Sequence, residues 1–203
     1  INGRWSKTVG DTAHEIEREF GHNIQAHQCV CDATDSQKIK EFFREKMPLF
    51  GDKLDILVNN VGNIEKFGKF EDLNEEDWQR SFNLTYMSAV RFIYASLPHL
   101  KKSDQARIIN ISSLSGHQPS FIGLNPHYGM AKAGMLNLTK NLANDFGRYG
   151  ITVNTICPGT LAGGGWEQNI KNRAERENLT AEEAEKIMRQ EESRKSPLGK
   201  MGA

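Results

Sequence analysis

Apolar positions recur at two periods along the chain. Thr8 to Phe20 carries Val9, Ala13, Ile16 and Phe20 at helical spacing and meets Gly21, which predicts a helix and its stop. Ile24 to Cys31 reads as a short strand. Ser36 to Met47 places Ile39, Phe42 and Phe43 on one side and predicts a second helix. Leu54 to Asn60 is a compact apolar strand that runs into polar residues. Asn74 to Leu97 predicts one long helix, with Phe82, Tyr86, Ala89, Val90, Ile93 and Leu97 in a stripe. Arg107 to Ile111 predicts a buried strand, Tyr128 to Tyr149 a helix, and Ile151 to Ile156 a strand closed by Cys157-Pro158-Gly159. Short apolar strands alternating with helices predict parallel βαβ units in an α/β, doubly wound parallel sheet.

Composition narrows the function. The 203 residues suffice for one core and predict a single domain over 1–203. There are 26 basic and 26 acidic residues, so no basic stripe argues for nucleic acid and no charge draws the chain to an anionic membrane. No apolar run reaches the ~20 residues of a membrane span. Cys29, Cys31 and Cys157 form a sparse, odd set that fits a reducing cytosol. Cys29 and Cys31 share a strand face. With no second ligand pair at zinc spacing they read as two small core residues rather than a metal or redox pair. Both ends read as cut: Ile1-Asn2-Gly3-Arg4 resembles the tail of a strand entering a loop, and residues 197–203 stop in a loop.

Candidate chemistry centres on Tyr128-Gly129-Met130-Ala131-Lys132. Positions i and i+4 of a helix share a face, so a phenol and an ammonium can point into one site. A free tyrosine titrates near ~10, and a fixed cation favours its phenolate. The pair suits general acid/base work on a carbonyl or alcohol. Alone the spacing is a weak signal. Ligands of open α/β sheets bind outside the carboxyl ends of the strands. Asp32, Asn59-Asn60-Val61-Gly62, Ser112-Ser113 and Pro158-Gly159 each follow a predicted strand and should gather there with the start of the Tyr128 helix.

Asn59-Asn60-Val61-Gly62, Asn83, Ile111-Ser112-Ser113, Tyr128-x-x-x-Lys132 and Pro158-Gly159 together resemble the short-chain dehydrogenase/reductase family, in order and spacing, over essentially the whole chain. The resemblance implies a Rossmann-like fold and a reaction between a carbonyl and a secondary alcohol. It implies Asn83, Ser113, Tyr128 and Lys132 as the catalytic set. Tyr128 would donate the proton, Lys132 would lower the Tyr128 pKa and bond the nicotinamide ribose, Ser113 would hold the substrate oxygen, and Asn83 would hold a relay water. A loop-capping serine and an exposed mid-helix asparagine are the plain alternatives for Ser113 and Asn83. The implied cofactor residues are Arg4, Asp32, Ala33, Asn60, Val61, Gly62, Tyr128, Lys132, Pro158, Gly159 and Leu161. NADPH is preferred over NADH, because Asn2 or Gly3 fills the acidic position and Arg4 offers a fork for a 2′-phosphate.

Departures matter as much. The family's glycine-rich phosphate turn belongs to a first βα unit that precedes Ile1, and its last strand follows Ala203, so both are expected to be missing and cofactor binding to be weak as the chain stands. Gly163-Gly164-Gly165 does not link a strand to a helix and cannot replace the turn. Residues 160–196 read either as a lid with a short amphipathic helix over the site or as a surface hairpin of helices. Thr180-x-x-Glu183 fits a capping box there. Gln118, Phe121, His127 and Trp166 are substrate-pocket candidates by position, with His127 otherwise a partly exposed loop residue. The activity implied is a cytoplasmic NADPH-linked reduction of a 3-oxoacyl thioester, as in fatty acid synthesis. A sugar, steroid or other secondary alcohol, a non-catalytic dinucleotide binder, and a structural oligomer are the alternatives. Relatives share two helices between subunits, so Phe92, Tyr94, Met135, Leu138 and Leu142 predict a dimer or tetramer.

Overall fold

The computed structural model describes residues 1–21, 24–119, 123–160, 165–195 and 198–199. It divides into two compact units, Ile1–Cys157 and Pro158–Ala203. The first unit alternates strands and helices: β1 (Asn2–Gly3), α1 (Ser6–Phe20), β2 (Cys29–Val30), α2 (Ser36–Lys46), β3 (Ile56–Asn59), α3 (Glu75–Ser81), α4 (Met87–Leu100), β4 (Arg107–Ile111), α5 (Leu114–His117), α6 (Pro126–Phe146) and β5 (Thr152–Ile156). Among the described residues every strand pair is parallel, as the alternation predicts. The strands pair in two ladders, β1–β2 and β3–β4–β5, with Asn2 opposite Cys29, Ile56 opposite Arg107 and Arg107 opposite Thr152. A cavity of about 490 Å³ lies between them, touched by Ile1, Asn2 and Cys29 on one side and Leu57, Val58 and Asn59 on the other.

Alternation along the strands decides what is buried. Leu57, Ile108 and Val153 point into a core that Ile39 and Phe43 of α2 and Phe92, Ile93 and Leu100 of α4 complete. Full burial of a side chain such as Ile108 contributes roughly 1.5–3 kcal/mol. Ile56, Val58 and Ile156, on the other face, are exposed. The β2 ladder covers only two residues of the longer strand expected over 24–31. Asp35 caps α2 by accepting from the backbone N–H groups of Gln37 and Lys38, both at 3.0 Å, while Arg44 and Lys46 sit in its last turn against the helix dipole.

The long helix expected over 74–97 is present and runs without interruption from Glu75 to Leu100, with a π-helical turn inside it. That turn, Phe82–Tyr86, joins α3 to α4. Two of the residues expected at a subunit interface, Phe92 and Met135, are buried within the unit, and Leu138 and Leu142 pack against its core. Helical periodicity identified their faces but not the neighbour that covers them. Tyr94 alone of the five is open to solvent, at 74%.

The second unit holds α7 (Trp166–Glu177) and α8 (Ala181–Lys195). Trp166, Ile170 and Ala184 form its apolar contact. The expected capping box is present: Glu183 Oε2 accepts from Thr180 N at 2.9 Å, and Thr180 Oγ1 accepts from Glu183 N at 3.2 Å. Among the described residues no helix is long and apolar enough to cross a membrane.

Candidate active site

The start of α6 positions the tyrosine and lysine. Asn125 adopts a left-handed conformation (φ 55°) and Pro126 opens the first turn. Asn125 also ties this corner to the loop after β3, accepting from Gly68 N at 3.1 Å through its side chain and donating its own N–H to Gly68 O at 2.8 Å. Tyr128 and Lys132 then lie one turn apart, with Lys132 Nζ 5.7 Å from the Tyr128 ring centroid.

Lys132 is 2% exposed. Its ammonium donates to the carbonyl of Ile111 at 2.7 Å, so it is anchored at the carboxyl end of β4. Burial pushes its pKa down to about 8. Tyr128 departs from expectation. Burial pushes its pKa up, and a hydrogen bond with the Ser113 hydroxyl only partly opposes this. The Lys132 charge lies over the ring and points to a carbonyl, so here it does not depress the phenol.

The end of β4 supplies the serines. Ser113 stands before α5 with extended backbone, and its Oγ accepts from Ser115 N at 3.1 Å. It therefore caps a short helix as well as meeting Tyr128. Ser112 is buried, and its hydroxyl donates to the backbone carbonyl of Lys132 at 2.8 Å. Asn83 sits in the π turn. A π turn releases backbone carbonyls from the α-helical ladder, and Arg91 takes the one on Asn83, donating from Nη1 at 3.0 Å and from Nη2 to the side-chain oxygen. Asn83 is half-buried and partnered, not the exposed residue of the plain alternative.

The predicted cofactor residues of the first unit converge. Arg4, Asp32, Ala33, Val61 and Gly62 line one cavity of about 210 Å³. Asn60 lines the neighbouring larger cavity. Asp32 accepts from Thr34 N and Thr34 Oγ1, both at 2.8 Å. Those bonds, with smaller help from Arg4 and Lys38, hold its carboxyl below the usual range. At Gly62 an added Cβ would meet Lys132 Nζ at 3.0 Å and Thr85 Cγ2 at 3.1 Å, so glycine lets this loop press against the lysine. Pro158 and Gly159 belong to the second unit. Leu161 and Phe121 lie outside the described residues. Gln118 is exposed, and Trp166 is buried within the second unit.

His127 corrects its expectation as a partly exposed loop residue. It is inside α6 and buried, edge-on to Trp78 with centroids 6.1 Å apart, and desolvation lowers its pKa. Sequence reasoning also missed a buried polar chain behind the site. Asn59 Nδ2 donates to Asn110 Oδ1 at 2.8 Å, Asn110 Nδ2 donates to Thr139 Oγ1 at 2.9 Å, and Thr139 Oγ1 donates to Met135 O at 2.7 Å. Its signal was Asn110 at an inward position of an apolar strand, where a polar group must find partners.

A family described as short chain dehydrogenase matches residues 3–174. The oxidoreductase YvrD of Bacillus subtilis is 33% identical over 175 residues, 86% of this chain and 62% of that protein. A D-beta-hydroxybutyrate dehydrogenase of Rhizobium meliloti is 34% identical over 152 residues, 75% of this chain and 57% of that protein. The chain thus spans about 60% of the length of these relatives. For the fold, the crystal structure of L-sorbose reductase from Gluconobacter frateurii superposes with a TM-score of 0.86 at 22% identity, covering 99% of this chain and 73% of that one. With a family match over residues 3–174 and relatives at this identity, the chain belongs to the short-chain dehydrogenase family.

Proposed function

We propose that this chain carries the catalytic and adenosine-side residues of an NADP(H)-dependent oxidoreductase that reduces a carbonyl to a secondary alcohol. The observation that carries the reading is the meeting of Ser113, Tyr128 and Lys132 at the carboxyl end of β4, with Gly62 against the lysine. The cofactor fits the residues present, because the cavity beside Gly62 has Arg4 and Asp32 in its wall. Arg4, Asp32, Ala33, Asn60, Val61 and Gly62 would hold its adenosine side, and Tyr128 and Lys132 its nicotinamide ribose, with Pro158, Gly159 and Leu161 proposed from the motif alone. The bound dinucleotide supplies the hydride.

The chain's own residues handle the proton. A phenol with a raised pKa is protonated at neutral pH, the form that an acid needs during reduction. Tyr128 would pass that proton to the substrate oxygen, and Ser113 would bond the same oxygen and stabilise its developing charge. Lys132 keeps most of its charge at neutral pH and would orient the ribose. Asn83 would hold the relay water, with Arg91 fixing its carbonyl.

A 3-oxoacyl thioester is the substrate class we favour. Support comes from the relative named D-beta-hydroxybutyrate dehydrogenase, whose named compound carries a secondary alcohol at the same β position. A sugar, steroid or other secondary alcohol would use the same four residues. The free thiols fit a reducing cytoplasm, and exposed Tyr94, Phe82 and Met130 support a homo-oligomer. The test is consumption of NADPH or NADH by the full-length protein with 3-oxoacyl thioesters, 3-oxo acids, sugar ketones and steroid ketones. Turnover of a thioester with NADPH is expected. No turnover of any carbonyl overturns the oxidoreductase reading, and turnover confined to sugars or steroids overturns the substrate class.

A further inference from the structure

Cys29 of β2 and Cys31 just beyond it have a geometry that their spacing alone did not reveal. Both are buried, their sulfurs are 3.7 Å apart, and the Asn2 side-chain nitrogen lies 3.5 Å from Cys29 Sγ and 3.1 Å from Cys31 Sγ. The same nitrogen donates to the carbonyls of Cys29 at 3.0 Å and Cys31 at 3.2 Å, so it fixes this strand end to β1. Residues i and i+2 of a strand have Cα atoms about 6.6 Å apart, inside the ~4.4–6.8 Å span that a disulfide bridges. Cys31 lines the cavity that also holds Arg4 and Asp32, which gives a small oxidant a route to it.

The two thiols are unequal. The contact with Cys29, helped by Asn2, lowers the Cys31 thiol against burial and the charges of Asp32 and Asp35. The Cys29 thiol is pushed up, chiefly by that same contact and by burial. A nucleophilic thiolate beside a protonated thiol is the arrangement in which one sulfur reacts and the other resolves.

We propose that Cys29 and Cys31 form a redox pair that a hydroperoxide closes to a disulfide, and that closure weakens binding at the adjoining adenosine cavity. The Cys31 thiolate attacks the outer peroxide oxygen. An S–O bond forms, the O–O bond breaks, and an alcohol (water, from hydrogen peroxide) leaves after taking a proton. The Cys29 sulfur then attacks the sulfenic sulfur. The S–S bond forms, the S–O bond breaks, and the Cys29 proton leaves with the hydroxide as water. Two thiols are oxidised by two electrons and one peroxide is reduced. Closing the 3.7 Å gap between the sulfurs would pull them from the Asn2 side-chain nitrogen, which ties this strand end to β1 beside Arg4.

The cofactor half of this inference rests on the adenosine reading of the cavity. The full-length protein is treated with hydrogen peroxide, with and without saturating NADPH. All three cysteines are mapped by alkylation and peptide mass, exposed Cys157 serving as internal reference. NADPH affinity is measured by fluorescence before and after oxidation. A Cys29–Cys31 peptide lighter by two hydrogens is expected, reversible by dithiothreitol and suppressed by NADPH. Affinity should drop at least about fivefold, the worth of one hydrogen bond, and in Cys29→Ala peroxide should leave a sulfenic acid on Cys31 and no disulfide. If both thiols remain alkylatable while Cys157 is oxidised, the redox pair is wrong. A disulfide with unchanged NADPH affinity overturns the coupling. Failure of the reduced protein to bind NADPH overturns the adenosine reading instead, and the thiol map still decides the pair.

Discussion

Ser112 and Lys132 are joined through the backbone: the serine hydroxyl donates to the lysine carbonyl at 2.8 Å, while the lysine ammonium donates to the carbonyl of Ile111, the residue before that serine. Two bonds between the end of β4 and one residue of α6 fix both the height and the direction of Lys132. Ser112→Ala should therefore cost only about 1 kcal/mol of stability, the net value of one hydrogen bond. Its kcat should fall more than its KM rises, because the lysine loses its register. A thermal melt with parallel kinetics checks this. Unaltered kcat would show that the Ile111 contact suffices.

Lys132 is expected to trade stability for function. Its folded pKa of about 8 lies below its ordinary value of 10.5. The unfolded chain holds the proton more tightly, so this group disfavours the fold below pH 8, and the penalty is relieved as pH rises toward 10.5. A shift of that size corresponds to about 3 kcal/mol at neutral pH. Lys132→Met should abolish turnover yet melt no lower than the wild type at pH 7. Its stability should also lack the wild type's rise between pH 8 and pH 10. A large drop in melting temperature for the variant would mean that the Ile111 bond outweighs desolvation.

Much of this arrangement was legible in the sequence, because strand ends and helix faces are local properties. Placing Asp32 and the Asn59–Gly62 run after predicted strands anticipated that Asp32, Val61 and Gly62 would line one cavity, and the spacing of Tyr128 and Lys132 that they would lie one helical turn apart. What was not legible depends on partners distant in the chain. Phe82–Tyr86 keeps a helical apolar pattern, and nothing in it announces a π turn whose freed carbonyl Arg91 takes up. Spacing placed a lysine beside a tyrosine but could not show that its ammonium would point to Ile111. Periodicity gave Phe92 and Met135 an apolar face without saying that the chain's own core would cover it.

Cofactor choice can be tested at Arg4, which is exposed at the rim of the small cavity and close enough to Asp32 to influence its carboxyl. The ratio of kcat/KM for NADPH over NADH should exceed one in the full-length protein. Arg4→Ala should reduce it by about tenfold or more, as expected for loss of a charge-assisted bond of ~1.5–3 kcal/mol. A ratio that survives the substitution would place phosphate recognition elsewhere.

The central claim is that the Tyr128 hydroxyl is the acid of a carbonyl reduction. Tyr128→Phe keeps the ring, which Lys132 overlies, and removes the hydroxyl with its proton. The most direct measurement is single-turnover NADPH oxidation by the full-length Tyr128→Phe protein, with cofactor affinity measured in the same sample. The account predicts an affinity lower by no more than about fivefold, the worth of one ribose hydrogen bond, and a hydride-transfer rate lower by at least ~10²–10⁴. A rate within a few-fold of the wild type would contradict it.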